Sequence, residues 1–193
     1  MKVYEKISNF VALFGWLCNK KVNGYHRNRW AGITEIGKEK AMQFLTNLIR
    51  KEDNQYSYEN CWIGEVENHV VAVAVVYDGK KLPELRKPIA EEIKSMFEKD
   101  FHPENETQAG EFYIDSFAVN PHFQGKGLGS KLFQFLIDEY VFKRNETLGL
   151  LVDRDNPNAK KLYLRLGFEI VGEQTLAGKK MEHLQFKRLN TST

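Results

Sequence analysis

Two periodicities alternate along the chain. Between Gly37 and Lys51, Ala41, Phe44, Leu45 and Leu48 recur at three- and four-residue steps, which predicts a helix with one apolar face. Phe10, Leu13, Phe14 and Leu17 repeat the pattern and predict an earlier helix, behind a short strand over Val3–Ile7. Residues 19–36 read as a loop, with Asn23-Gly24 as a turn. The period then drops to two. Cys61–Glu67 and Val70–Tyr77 are β-branched runs either side of Asn68-His69, a hairpin pattern, and Asp78-Gly79 closes the second run.

Ile89, Ile93, Met96 and Phe97 predict a short helix, ending near His102-Pro103, within an acidic insertion over 82–108. Glu111–Val119 reads as a strand ending at Asn120-Pro121, and a glycine-rich loop follows. Leu128, Leu132, Leu136 and Tyr140 predict a helix, Thr147–Val152 a strand, and the stretch from Pro157 a helix stopped by Gly167. Phe168–Gly172 and Met181–Arg188 are the last predicted strands, around Ala177-Gly178. The strand–helix–strand crossover from 111–119 to 147–152 requires those two strands to be parallel. The predicted fold is α/β: a mixed, mostly antiparallel sheet with one parallel pair and flanking helices. A length of 193 residues suits a single domain over 1–193.

Charge excludes some partners. The net charge is only +2, so bulk attraction to nucleic acid is not expected. That total cancels a basic stretch over 17–51 against acidic stretches over 52–108; the basic stretch reads as a solvated face. No apolar run approaches the ~20 residues needed to span a bilayer. Glu5 interrupts a would-be leader, so the reading is a cytoplasmic protein without a membrane anchor. Cys18 and Cys61 cannot build a disulfide framework, and the five histidines show no metal-ligand spacing, so no metal is expected.

The candidate chemistry begins at Gln124-Gly-Lys-Gly-Leu-Gly-Ser130. A strand enters this loop and a helix leaves it. The first N–H groups of a helix have no internal partner, and with the helix dipole they attract an anion. The expected ligand group is a phosphate or pyrophosphate held by backbone over 124–130, with Lys126 and Lys131 adding charge. Ser130 follows Gly129 where a nucleoside-triphosphate loop needs a lysine, which excludes that motif. A dinucleotide site, with Asp153 as the ribose-binding acid, fits poorly because the glycines are spaced G-x-G-x-G.

Gln124-x-x-Gly127-x-Gly129 resembles the pyrophosphate loop of the GNAT superfamily of N-acetyltransferases. Downstream, Asn156-x-x-Ala159-x-x-Leu162-Tyr163-x-x-x-Gly167-Phe168 resembles that family's second acetyl-CoA motif. The resemblance covers 111–172, the expected acetyl-CoA-binding core. It implies that acetyl-CoA lies where the two parallel strands splay apart. The backbone of Phe117, Ala118 and Val119 would pair with the pantetheine arm, and the Val119 N–H would polarise the thioester carbonyl. Gln124, Gly125, Lys126, Gly127, Leu128, Gly129 and Ser130 would hold the pyrophosphate. Asn156 would bind the arm, and it also suits a helix N-cap beside Pro157.

The resemblance makes Tyr163 the proton donor to the leaving thiolate, although its place on an apolar stripe also suits a core aromatic. For the base, alternation puts Glu111, Tyr113, Asp115, Phe117 and Val119 on one face. Asp115 is the first candidate and Glu111 the second; a structural or substrate-binding role for Asp115 stays open. The family's basic position falls closer to Tyr113, which is not a carboxylate, so water alone stays open as the base for a substrate of low pKa. Trp16, Trp30 and Trp62 read first as packing, with a place in the lining of the acceptor pocket left open. Lys160 and Lys161 read as a solvated face within reach of a CoA phosphate, and His122 as a surface turn residue.

The implied activity is direct transfer of acetyl from acetyl-CoA to a small-molecule or peptide amine. A non-catalytic acyl-CoA-binding module and a dinucleotide-binding reductase are the alternatives, and a homodimer stays open. The acceptor is not named by any motif. The acidic 52–108 stretch is compatible with a cationic amine.

Overall fold

A computed structural model describes residues 38–188. The expected strand at Val3–Ile7, the helix at Phe10–Leu17, Cys18, Trp16, Trp30 and most of the basic stretch lie outside the described residues. Helix α1 spans Lys38–Ile49. Strands β1 (Cys61–Val66) and β2 (His69–Asp78) form the first hairpin, followed by helix α2 (Leu82–Phe97). Next come β3 (Phe112–Val119), α3 (Leu128–Ile137), β4 (Leu148–Asp153) and α4 (Pro157–Arg165). Strands β5 (Glu169–Leu176) and β6 (Lys179–Phe186) end the fold.

The six strands lie in the order β1-β2-β3-β4-β6-β5. Among the described strands only β3 and β4 pair in parallel. Each face of the sheet carries its own core. On one face α1 and α2 bury Phe44, Leu48, Leu82, Leu85, Ile89 and Ile93 against Val73, Val75, Tyr113 and Ala118. On the other, α3 and α4 pack Leu132, Phe133, Leu136, Leu162 and Tyr163 on Ala74, Ile114, Leu150 and Leu184.

Several boundaries differ from the sequence reading, each for a local reason. The first hairpin turns at Glu67-Asn68, one residue early, with both residues at positive φ (48° and 62°) and Val66 paired to His69. A two-residue loop of this kind matches the strand twist, and Asn tolerates it well. Helix α2, inside the expected insertion over 82–108, is longer than the short helix read from the sequence. It runs 16 residues, starts with Pro83 in its first turn, ends at a left-handed Glu98, and supplies four core side chains. The helix after the glycine loop passes from α-helix into a π-helical segment over Asp138–Lys143. There Tyr140 accepts the indole N–H of Trp62 (3.0 Å), and the two rings meet edge-on.

The strand pair at the centre decides where a ligand can enter. β3 and β4 pair only at Phe112–Leu148 and Tyr113–Gly149. Beyond those positions both strands continue, unpaired to each other, to Val119 and Asp153. A β-bulge in the β2–β3 ladder explains part of the divergence. Val75 pairs with Ser116 and Val76 with Ile114, so Asp115 is the extra residue. Bulges bend and twist the strand that carries them.

Candidate active site

The bulge also decides which side chains share a face. Before it, Tyr113 faces the α1/α2 core and Ile114 faces α3; after it, Ala118 faces α1/α2, and Phe117 and Val119 pack toward α3. The single face expected for Glu111, Tyr113, Asp115, Phe117 and Val119 is therefore broken. The inserted residue shifts the two-residue alternation by one position. Tyr113 and Asp115 stay together on the α1/α2 face, whereas Phe117 and Val119 lie on the other. Phe117 stacks on Phe133 (4.2 Å between centroids) and lies under Gly129.

Backbone direction along β3 follows from one hydrogen bond. The Asn120 N–H donates to the Val71 carbonyl (2.8 Å). Its neighbour Val119, opposite Ala72, is then in a non-hydrogen-bonded pair and turns its N–H and C=O away from β2, into the gap. Phe117, opposite Ala74, does the same. The Val119 carbonyl accepts the Gln124 side-chain amide (3.1 Å), which ties the glycine loop to the strand end.

The loop itself is exposed from Gln124 to Gly127. Asn120 caps a turn of 3-10 helix over Pro121–Phe123 by accepting the His122 N–H (3.1 Å). Gly125 and Gly127 then take φ of 76° and 74°, conformations that cost little only for glycine. A Cβ at either would meet nothing within 4 Å, so the space above them is open. Gly127 is the N-cap of α3 and offers no side-chain cap. The first N–H groups of α3, at Leu128, Gly129 and Ser130, are thus left for an anion. Lys126 reaches over the Phe123 ring (5.0 Å), and Lys131 is exposed on α3.

On the opposite flank of the gap, Asn156 caps α4, its Oδ1 accepting the Ala159 N–H (3.2 Å). The cap uses the oxygen and leaves the amide N–H groups. Tyr163 lies against Phe133 (5.2 Å) and Phe168 (6.2 Å). Burial against this cluster pushes its hydroxyl up to about 12, so it stays protonated at neutral pH. The hydroxyl has no hydrogen-bond partner among the described residues. Asp153 is engaged elsewhere, capping the Asp155 N–H (2.9 Å) and pairing with Lys179 (2.7 Å), which leaves little for a ribose. Lys160 pairs with Glu182 (2.7 Å) rather than standing solvated, and Lys161 is exposed.

The α1/α2 face carries a buried polar network that the sequence did not reveal. Tyr77 donates toward Glu106 (2.9 Å) and Asp115 (3.3 Å), and Gln55 donates to Tyr77 (2.9 Å) and Glu106 (2.8 Å). Arg86 forms an ion pair with Glu106. Asp115 also accepts the Ser116 hydroxyl (2.7 Å). Glu111, just before β3, crosses over Gly149 of β4 to reach β6. It accepts hydrogen bonds from Thr107 (2.6 Å), His183 (2.8 Å) and Gln185 (2.8 Å). Burial raises its carboxyl, but these donors, led by His183, outweigh that and hold it below the ordinary value. Residues His183, Gln185, Glu106 and Gln55 lay far from every motif, and only a three-dimensional pairing could bring them in.

Cys61 donates its thiol to the Ser57 carbonyl (3.2 Å), and burial pushes that thiol up, which makes it a poor nucleophile. Among the described residues no group of His, Cys, Asp and Glu could hold a metal ion, and no helix is long and apolar enough to cross a membrane.

Comparison with known proteins agrees with this geometry. A probable spermine N(1)-acetyltransferase of Bacillus subtilis subsp. natto (strain BEST195) is 35% identical over 82 residues, 40% of this chain and 52% of that protein. The chain thus spans about half the length of the curated relatives it matches. A crystal structure of an acetyltransferase superposes with a TM-score of 0.74 at 27% identity, covering 95% of both chains. An N-acetyltransferase from Staphylococcus aureus Mu50 shares the fold with a TM-score of 0.77 at 21% identity, covering 94% of this chain and 96% of that one. The sequence model of the acetyltransferase (GNAT) family matches residues 30–168, well over half of the chain. With a splayed parallel strand pair, a glycine loop on one side and a buried polar face on the other, the chain belongs to the acetyltransferase (GNAT) family.

Proposed function

We propose that the chain moves an acetyl group from acetyl-CoA directly to a primary amine of a small molecule or peptide. The observation that carries this reading is the gap between β3 and β4. It opens beyond Tyr113–Gly149, with backbone of Phe117 and Val119 turned into it and an uncapped helix N-terminus at its mouth.

These residues fit the co-substrate. The N–H groups over Gly125–Ser130 suit a pyrophosphate, since open space lies over the two left-handed glycines. The gap-facing groups of Phe117 and Val119 suit an amide-bearing arm laid alongside β3 as an extra strand. The Asn156 amide supports that arm from the other flank. When bound, the thioester supplies an activated acetyl group. The Val119 N–H is placed to donate to a carbonyl oxygen that gains charge during attack.

The protein's own residues then manage protons. An alkylamine has pKa ~10.4 and must lose a proton before it attacks, while a thiol's pKa is ~8.5, so the leaving sulfur needs a donor. Tyr163, protonated and without a partner among the described residues, is the donor. Its raised pKa favours a hydrogen bond to the sulfur over an early loss of the proton. Asp115 and Glu111 lie on the opposite face, where the amine would approach. Both are buried and held by donors, so they act by holding charge and geometry. The buried thiol of Cys61 supports attack without an acyl-enzyme.

The matched stretch of the Bacillus relative, a probable spermine acetyltransferase, supports a cationic acceptor, as do the buried carboxylates of Glu106, Glu111 and Asp115. Mass spectrometry of protein and acceptor after incubation with acetyl-CoA tests the reading. The acceptor should gain one acetyl group and the protein none. A stable acetyl adduct on the protein would replace direct transfer with a two-step route.

A further inference from the structure

We propose that His183 is the base that takes the acceptor's ammonium proton, oriented and polarised by Glu111. This assignment rests on the acetyl-transfer reading of the cleft.

Three donors converge on the Glu111 carboxylate: the Thr107 hydroxyl on Oε1, and the His183 ring and the Gln185 amide on Oε2. A carboxylate that only accepts is ionised, so His183 Nε2 carries the hydrogen. The lone pair of the neutral ring then sits at Nδ1. Nδ1 has no partner among the described residues. The Glu111 side chain is 0% exposed and that of His183 is 13% exposed, so the imidazole is the member of the pair that reaches outward.

Register places this ring level with the gap. His183 pairs with Leu151 of β4, two residues beyond Gly149, the last β4 residue that pairs with β3. Its side chain lies on the α1/α2 face with Glu111, whereas the glycine loop helix and Tyr163 lie on the other. Proton acceptor and proton donor therefore stand on opposite faces of the gap. Among the described residues, Glu111 is the charged group in contact with His183. Glu106, Asp115 and Arg86 share the face through Tyr77, and its register partners Leu151 and Gly172 bring no charge. A neutral imidazole is a stronger base than a carboxylate and is better matched to taking a proton from an ammonium.

The proton balance closes. The ammonium gives one proton to Nδ1. The freed nitrogen lone pair forms the N–C bond and the C–S bond breaks. The nitrogen's surplus proton ends on the thiolate by way of the Tyr163 hydroxyl, and the imidazolium returns its proton to solvent.

The test compares full-length wild type with His183→Gln and Glu111→Gln, using acetyl-CoA and the best amine from an acceptor screen. His183→Gln keeps an amide N–H for Glu111. It should lower kcat by ~100-fold or more, leave acetyl-CoA Kd within about twofold, and abolish the acid limb of the kcat/KM profile. Glu111→Gln should lower kcat as well, with acetyl-CoA Kd near wild type, because the ring loses the carboxylate that fixes its tautomer and orientation. If Glu111→Gln does not fold, His183→Gln alone decides. Turnover of His183→Gln within about threefold of wild type, with the acid limb retained, would overturn the assignment. A wild-type chain that binds acetyl-CoA and acetylates no amine removes the acetyl-transfer reading itself, and this assignment with it.

Discussion

The carboxylate of Glu111 lies directly over the α-carbon of Gly149, and a Cβ there would overlap it. This contact lets a side chain from the start of β3 cross β4 and meet His183 on β6. Gly149→Ala should therefore either expel Glu111 from its three donors or push β4 away. The expected cost is ~2–4 kcal/mol, from a displaced buried carboxylate and local overpacking. Urea denaturation checks it, and a variant as stable as wild type would show that Glu111 has another place to go.

Glu111 also sets a pH dependence. Its folded pKa lies below the ordinary 4.5, so its contribution to stability is fully present above that value and is lost as pH falls through the folded pKa. Glu111→Gln should unfold over a shallower acid range than wild type, although it is less stable at pH 7. Thermal melts from pH 7 down to pH 3 check this.

Tyr163→Phe should keep the ring against Phe133 and Phe168 and remove only the hydroxyl. We expect kcat to fall by ~10²-fold or more, with acetyl-CoA Kd nearly unchanged. Unchanged kcat would return Tyr163 to the core. Alkaline melts give a second readout. Its folded pKa of about 12 exceeds the ordinary 10, so stability is lost as pH rises from 10 through 12. The phenylalanine variant should lose less over that range.

Gly127→Ala adds a methyl group where φ is 74° and nothing lies within 4 Å. The strain costs ~1–2 kcal/mol, and the methyl sits at the N-terminus of α3. Affinity for CoA should drop at least ~10-fold, more than a stability loss of that size explains. Titration calorimetry with CoA, beside a melting curve, separates the two effects.

How much of this was legible in the sequence depended on how local each feature is. The glycine loop, α4 and its Asn156 cap are built from neighbours, and Gln124–Gly129 and Asn156–Phe168 announced them. Helix α1 followed from the spacing of Phe44, Leu45 and Leu48. The parallel pairing of β3 and β4 followed from the crossover between them. The bulge at Asp115 was not legible, because Ile114-Asp115-Ser116 carries no glycine or proline and the ladder with β2 creates it. It moved Phe117 and Val119 off the face shared by Tyr113 and Asp115. Helix α2 was read as short because the charges around Leu82 and Leu85 hide its first turns, whereas Ile89 and Ile93 were legible. Glu111 was noticed as a carboxylate, but His183 is 72 residues away, and only the strand order β3-β4-β6 joins them.

Release of free CoA thiol on adding amines to the protein and acetyl-CoA tests the central claim most directly. The account predicts amine-dependent release that matches acetylated amine one for one, is fastest with cationic acceptors, and is strongly reduced in Tyr163→Phe. Acetyl-CoA binding, seen as a raised melting temperature, with no thiol released by any amine would contradict it.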